Sequence, residues 1–330
     1  MTKVKWGIIS TAKIARVHVI PGMQAGAYCE VSAIASRDLQ KAQRVAQELS
    51  IPKAYGSYEE LLADSEVQAV YIPLPNHLHV PWSLKAAEAG KHVLCEKPLG
   101  INAADAEKLV NACREKGVLL MEAFMYRTHP QWVTAKNMVK EGKIGELKFI
   151  QTSFSYLNLD PENIRNRPDL AGSGGLMDIG CYPISLSRFL FEAEPKRVVA
   201  LVNRDLNWKI DILASAVLEF AKGHATFTCS TQLTPYQRVN IFGTTGRIEI
   251  EIPFNAPEFS PTKMDYETTA GIETLTIDTA HQYQIEGDAF SKAILEGTPL
   301  PIPPEDAIAN MNVLDALFRS EQSGTWERVK

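Results

Sequence analysis

Long apolar runs are missing from this 330-residue chain: none reaches the roughly 18 residues that a membrane span needs. Blocks of like charge are missing too. With 34 Lys+Arg against 39 Asp+Glu, the formal net charge is −5 and the pI about 5.9, a balance that argues against a broad nucleic-acid surface. The five cysteines, Cys29, Cys95, Cys113, Cys181 and Cys229, show neither paired nor metal-ligand spacing. An odd count fits reduced thiols better than a disulfide framework. No internal repeat or low-complexity segment occurs, and the N-terminus enters an apolar strand too soon to leave room for a signal core. These absences lead us to expect a cytoplasmic, soluble protein with no metal site, no nucleic-acid partner and no membrane association. What is present is core-forming material: 45% of residues are hydrophobic, in a chain longer than one core usually supports, so two domains are expected.

Along residues 1–124 strands and helices alternate. Residues 4–9 read as a buried strand, a helix pattern begins at Ile14, a second apolar run spans 31–35 and a helix follows over 39–49. That is a βαβ unit of about 35 residues, the module that binds a dinucleotide. The alternation continues to a strand over 118–121, which predicts a doubly wound parallel sheet. From 125 to 330 the rhythm changes. Strand patterns at 147–157, 197–202, 210–220, 224–232, 238–242 and 247–252 are joined by turn signals such as Lys222-Gly223 and Thr244-Thr245-Gly246. They predict a largely antiparallel sheet, closed by helices over 282–295 and 304–320. The predicted architecture is therefore α/β throughout: a Rossmann domain, then an α/β domain with a large, mostly antiparallel open sheet.

Three stretches of the first domain carry chemistry. After Gly7 the dinucleotide fingerprint reads Ser10-Thr11-Ala12-Lys13-Ile14-Ala15, with small residues where glycines usually stand. These still let backbone and helix N-terminus approach a pyrophosphate, although an ordinary strand-turn-helix would have the same composition. At the end of the second strand, Ser36-Arg37 offers a hydroxyl and a guanidinium where an NAD site would place an acid, which points to NADP rather than NAD; alternatively Arg37 is simply solvated while Asp38 caps the next helix. The segment Ile72-Pro73-Leu74-Pro75-Asn76-His77-Leu78-His79 is a proline-fixed loop suited to pass beneath a nicotinamide, with His79 either a cofactor contact or structural. The apolar run 91–95 then ends in Glu96-Lys97-Pro98, charge delivered to the carboxyl end of a strand, where open α/β sheets bind ligands.

In the second domain Gly172-Ser173-Gly174-Gly175 precedes Asp178 and Tyr182, whose spacing puts them on one helix face. They are either a cap and a core tyrosine or, with Lys97, an acid-base set. Taken together, the segment from Gly7 to Ala15, Ser36-Arg37-Asp38, Pro75 to His79, Glu96-Lys97-Pro98, residues 122–127 and Gly174-Gly175 with Asp178-Ile179-Gly180 resemble the Gfo/Idh/MocA family of NAD(P)-dependent oxidoreductases over nearly the whole chain.

The resemblance implies a Rossmann domain over 1–124 and a substrate-binding and oligomerisation domain over 125–330, whose last helix can pack back on the first. Tyr182, where many members carry histidine, resembles the branch of dihydrodiol dehydrogenase, glucose-fructose oxidoreductase and NADP-dependent aldose 1-dehydrogenases. It implies hydride transfer between a sugar, such as D-xylose or D-glucose at C1, and NADP. Lys97, Tyr182 and Asp178 would be catalytic, and Arg127, Arg165 and Arg167 would line the substrate cleft. Gly7, Ser10 to Ile14, Ser36, Arg37, Pro73, Leu74, Asn76, His79, Glu96, Lys97, Arg127 and Tyr283 would hold the cofactor. A homodimer or homotetramer through the second sheet is also implied. The alternatives are trans-dihydrodiol oxidation, a glucose-fructose-type shuttle with tightly held NADP, and a non-catalytic NAD(P)-binding regulator.

Overall fold

The computed structural model describes residues 2–330. It divides into two compact units: one runs up to Thr128 and takes in His281–Ile308, and the other comprises His129–Ala280 with Ala309–Lys330.

In the first unit the expected alternation gives β1 (Val4–Ile9), β2 (Cys29–Ala35), β3 (Lys53–Tyr55), β4 (Ala69–Ile72), β5 (His92–Glu96) and β6 (Leu120–Ala123). They form one all-parallel sheet in the order β3-β2-β1-β4-β5-β6, so the strand order reverses beside β1, the position at which such sheets bind dinucleotides. The strands are nearly continuous apolar runs because helices cover both faces. These helices are α1 (Ile20–Ala25), α2 (Leu39–Glu48), α3 (Tyr58–Ala63), α4 (Asn76–Glu88) and α5 (Ala103–Lys116), with α8 (Gln282–Glu296) returning from far along the chain. Local chemistry sets their ends. Asp38, Ser57 and Asn102 cap α2, α3 and α5 by accepting from the amides of Lys41, Glu60 and Asp105, and Gly117, in the left-handed region at φ 66°, stops α5. The return of α8 is fixed by apolar packing and by the Trp6 indole, which is fully buried, packs at a tilt of 50° against Phe290 and donates to the Ser291 hydroxyl at 2.9 Å.

In the second unit α6 (Pro130–Lys140) leads into β7 (Leu147–Leu157), followed by α7 (Cys181–Phe191), then β8 (Arg197–Arg204), β9 (Asp211–Glu219), β10 (His224–Ser230), β11 (Gln232–Gly243), β12 (Gly246–Ile250), β13 (Thr262–Thr268) and β14 (Gly271–Ile277). With β15 (Glu327–Arg328) they form a nine-stranded sheet in the order β14-β13-β12-β11-β7-β10-β9-β8-β15. Its pairs are antiparallel except β7 with β10. Alternation sorts the faces: Ile150, Phe154, Ala214, Leu218, Phe227 and Val239 are buried on one side, whereas Gln151, Ser153, Ser215, Thr226 and Thr228 look out from the other. The last long helix, α9 (Glu305–Ser323), begins in the first unit and ends in the second.

Candidate active site

The turn after β1 keeps a glycine-like backbone without the glycine. Ser10 adopts φ 122°, a region that side chains rarely enter and whose strain persists only where the surroundings hold it. Its hydroxyl does part of that holding, donating to the Pro73 carbonyl at 3.2 Å and accepting from the Ala12 amide at 3.2 Å. The helical segment that follows opens with no side-chain cap and widens to a π-helical turn over Ala15–Val19. Uncapped N-terminal amides are a ready anion site, so Ser10, Thr11, Ala12, Lys13 and Ile14 fit the pyrophosphate of a dinucleotide. Gly7 needs a correction. It lies inside β1, where a Cβ would come within 2.6 Å of Leu61 on α3; its small size serves strand-helix packing and not the turn.

At the end of β2, Ser36 is buried and its hydroxyl accepts from the Asp38 amide at 3.3 Å, while Asp38 caps α2. Arg37 is exposed. Burial raises the Tyr58 phenol's pKa, and the charge and hydrogen bond of Arg37 pull it back, so the guanidinium reaches over α3 at the switch-point edge of the sheet. A phosphate there would meet a cation.

His79 also needs a correction. The structure starts α4 at Asn76, so His79 sits one turn in; it is fully buried, with Nδ1 2.8 Å from the Pro98 carbonyl oxygen and Nε2 2.7 Å from that of Leu74. Burial pushes its pKa down to about 4. The ring ties the Pro73-Leu74-Pro75 loop to the cis Lys97-Pro98 turn and thereby positions the loop instead of presenting itself to a ligand.

Glu96 ends β5 and Lys97 follows it, both half-buried at the carboxyl edge of the sheet. The Glu96 carboxylate accepts from the Tyr71 hydroxyl at 2.5 Å. Beneath them lies a group not expected from the sequence, Glu286 on α8, 2% exposed, with one carboxylate oxygen lacking any hydrogen-bond partner. Burial, and then the charge of Glu96, push its pKa well up. An acid whose proton is bound more tightly in the folded chain adds stability that is complete below its ordinary range and lost as pH rises. Glu286→Gln is accordingly expected to flatten the fall of Tm between pH 5 and 8, and an unchanged slope would contradict that assignment. Tyr283, one turn earlier on α8, is 7% exposed with its ring 5.6 Å from that of His18. Arg127 is 9% exposed and pairs with Asp306 at 3.3 Å, so its charge is already met within its own unit.

In the second unit, Leu176–Gly180 forms another π-helical turn that runs directly into α7; such turns recur at functional positions because they re-aim side chains. Asp178 projects from it, 8% exposed. One of its oxygens lies 2.7 Å from Arg165 Nε and the other accepts from the Tyr156 hydroxyl at 2.5 Å. The Asp178 charge, more than any other influence, holds Arg165 in its cationic form, and the phenols of Tyr156 and Tyr182 add to this. Tyr182, 5% exposed, has its ring wedged 5.6 Å from Phe154 and 5.0 Å from Phe254, which fixes where the phenol oxygen points. The structure thus joins Arg165, Asp178 and Tyr182 as expected partners of one constellation and adds Tyr156, whose place on β7 carried no motif. Arg167 stands apart, half-buried and held by Asp169 in a two-pronged pair at 2.7 and 2.6 Å.

The comparisons with known proteins agree with this geometry. Residues 4–124 match the model of the oxidoreductase family with an NAD-binding Rossmann fold, and residues 132–249 match the GFO/IDH/MocA C-terminal domain. An uncharacterized oxidoreductase of Rhizobium meliloti is 46% identical over 100% of both chains. The chain belongs to the GFO/IDH/MocA family. It is an NAD(P)-dependent oxidoreductase with a Rossmann unit and a mostly antiparallel α/β unit. D-xylose 1-dehydrogenase (NADP(+)) 2 of Haloferax volcanii is 41% identical over 97% of this chain and 98% of its own. The structure of a 3-ketoreductase from Actinomadura kijaniata, in complex with NADP and TDP-benzene, superposes with a TM-score of 0.90 at 31% identity, covering 97% of this chain and 98% of that one.

Proposed function

We propose that the chain is an NADP-dependent dehydrogenase that oxidises an aldose, with D-xylose the first candidate, at C1. The observation that supports this most is the 41% identity, along almost the full length of both chains, with a D-xylose 1-dehydrogenase (NADP(+)). NADP, when bound, supplies the hydride acceptor. The work of the protein is then to bind the sugar and remove the hydroxyl proton. Tyr182 takes that proton, with Lys97 the other candidate for its carrier. An ordinary phenol, with a pKa of about 10, needs a neighbouring cation to serve as a base near neutral pH; within its own unit that cation is Arg165. Asp178 fixes Arg165, whose remaining N–H groups can donate to sugar hydroxyls, and Tyr156, whose oxygen is left to accept from one. Atoms balance: the C1 hydrogen leaves as hydride, the hydroxyl hydrogen leaves as a proton, and a lactone remains.

A panel of aldopentoses, aldohexoses, inositols and an aromatic dihydrodiol, followed by nicotinamide absorbance with NADP and with NAD, tests the reading. Reduction by an aldose, faster with NADP, is expected; tight nucleotide binding with no reduction by any of them would move the reading to a closed hydride shuttle or a regulator. Arg37 carries the cofactor preference. Arg37→Leu should raise the Kd for NADP roughly 10- to 100-fold, the worth of one charge-assisted hydrogen bond, and leave the Kd for NAD alone; equal effects on both would refute the phosphate contact.

The assembly is also proposed. The open face of the nine-stranded sheet holds a depression of about 630 Å³ lined by Val199, Leu201, Ser215, Val217, Thr226 and Thr228, and Leu201 is 73% exposed. A second copy covering this face would bury it, giving a dimer or, with a further interface, a tetramer. Among the described residues no helix is long and apolar enough to cross a membrane, and all five cysteines are free and buried, which suits a reducing cytoplasm.

A further inference from the structure

Asp211 is a buried carboxylate that the proton chemistry does not use. It opens β9, is 2% exposed, and its Oδ2 accepts from the Leu176 amide at 2.5 Å. Leu176 is the first residue of the π-helical turn from which Asp178 projects. The glycine before that turn is shaped around the same carboxylate: Gly174 has φ +101°, and a Cβ there would overlap Asp211 Oδ1. One side chain thus occupies the space that a residue at 174 would fill and holds the amide that starts the turn.

We propose that Asp211 is a positioning residue for the substrate-side constellation, its ionised carboxylate setting the turn that aims Asp178, and through Asp178 Arg165 and Tyr156. An anionic acceptor is the stronger partner for amides at the start of a helical segment, and its removal leaves those amides without one. Charged and titratable groups face Asp211 from three neighbouring elements: Arg204 on β8, its register partner, Glu321 on α9, and Cys229 on β10. Arg204 and Glu321 hold each other in a two-pronged pair at 2.6 and 2.7 Å. Burial raises the Asp211 carboxyl to about 6, against the pull of the Leu176 amide and of Arg204. Well above that pH the carboxylate is ionised and presents the Leu176 amide with a charged acceptor.

The test is hydrogen exchange of the peptide spanning residues 172–180 in the whole protein at about pH 7.5, corrected for intrinsic rates. Asp211→Ala, which leaves the Leu176 amide without its acceptor, should lose about tenfold or more of the parent's protection there while peptides elsewhere in the sheet keep theirs. Asp211→Asn, whose amide oxygen can still accept, should lose less. Parent-level protection of 172–180 in Asp211→Ala, or a loss spread equally over the sheet, would overturn the proposal, and the same comparison in Asp211→Asn stands as a test even where Asp211→Ala fails to fold. A second arm rests on the dehydrogenase reading: the KM for D-xylose should rise in Asp211→Asn with little change in kcat. The expected exchange loss in a protein that oxidises no aldose would sink that reading and leave the positioning role standing.

Discussion

Replacing Lys97 with methionine is expected to lower kcat by about 10²- to 10⁴-fold, the usual worth of a positioned proton-transfer or oxyanion-binding group. Methionine keeps most of the length of the lysine stem and lacks its charge. Lys97 follows β5, whose Val93, Leu94 and Cys95 are fully buried in the parallel sheet, so the strand before it is held by apolar burial. Titration of NADPH fluorescence, run alongside, separates a loss of turnover from a loss of cofactor, since Lys97 is also expected among the residues that hold NADP. Turnover at the parent rate with NADPH bound would remove Lys97 from the chemistry.

The second large effect is expected at Tyr182. Phenylalanine there deletes one oxygen and leaves the ring between Phe154 and Phe254, so stability should change by no more than about 1.5 kcal/mol, as for a volume-conserving swap. The reaction should suffer far more. If the phenol carries the proton, kcat and kcat/KM fall together by about 10²- to 10⁴-fold, because the lost interaction is made only in the transition state. Tyr182→Phe with parent turnover, set against a crippled Lys97→Met, would move proton transfer to the lysine. A rise in KM alone would make Tyr182 a sugar-binding group.

Much of this organisation is legible in the sequence because it is local. The βαβ alternation predicts the parallel sheet, the Lys222-Gly223 and Thr244-Thr245-Gly246 turns mark hairpins that the structure contains, and Asp38 caps as its position suggests. The misses share a cause. β13 and β14 escaped detection because, near a sheet edge, Lys263, Asp265, Glu267 and Glu273 dilute the apolar pattern, as exposed edges require. The return of α8 to the first unit depends on Trp6 meeting Ser291 and Phe290, a pairing of distant residues that no local window shows. Ser10 looked like a degraded fingerprint, yet its hydroxyl supports the backbone angle that glycine would adopt freely. Gly7, which precedes the fingerprint, owes its small size to Leu61 packed against it. Tyr156, Asp211 and Glu286 had no motif at all. Each became visible only through a partner: Asp178, the Leu176 amide and Glu96 respectively.

The most direct test of the central claim follows the hydrogen itself. Purified protein would be given NADP and D-xylose carrying deuterium at C1, and the nicotinamide and sugar products separated and weighed by mass spectrometry. The account predicts one deuterium on the reduced nicotinamide for each molecule of xylonolactone formed, and none when the label is at C2. NADPH formed from unlabelled C1, or a sugar product that keeps its C1 deuterium, would contradict hydride transfer from the anomeric carbon.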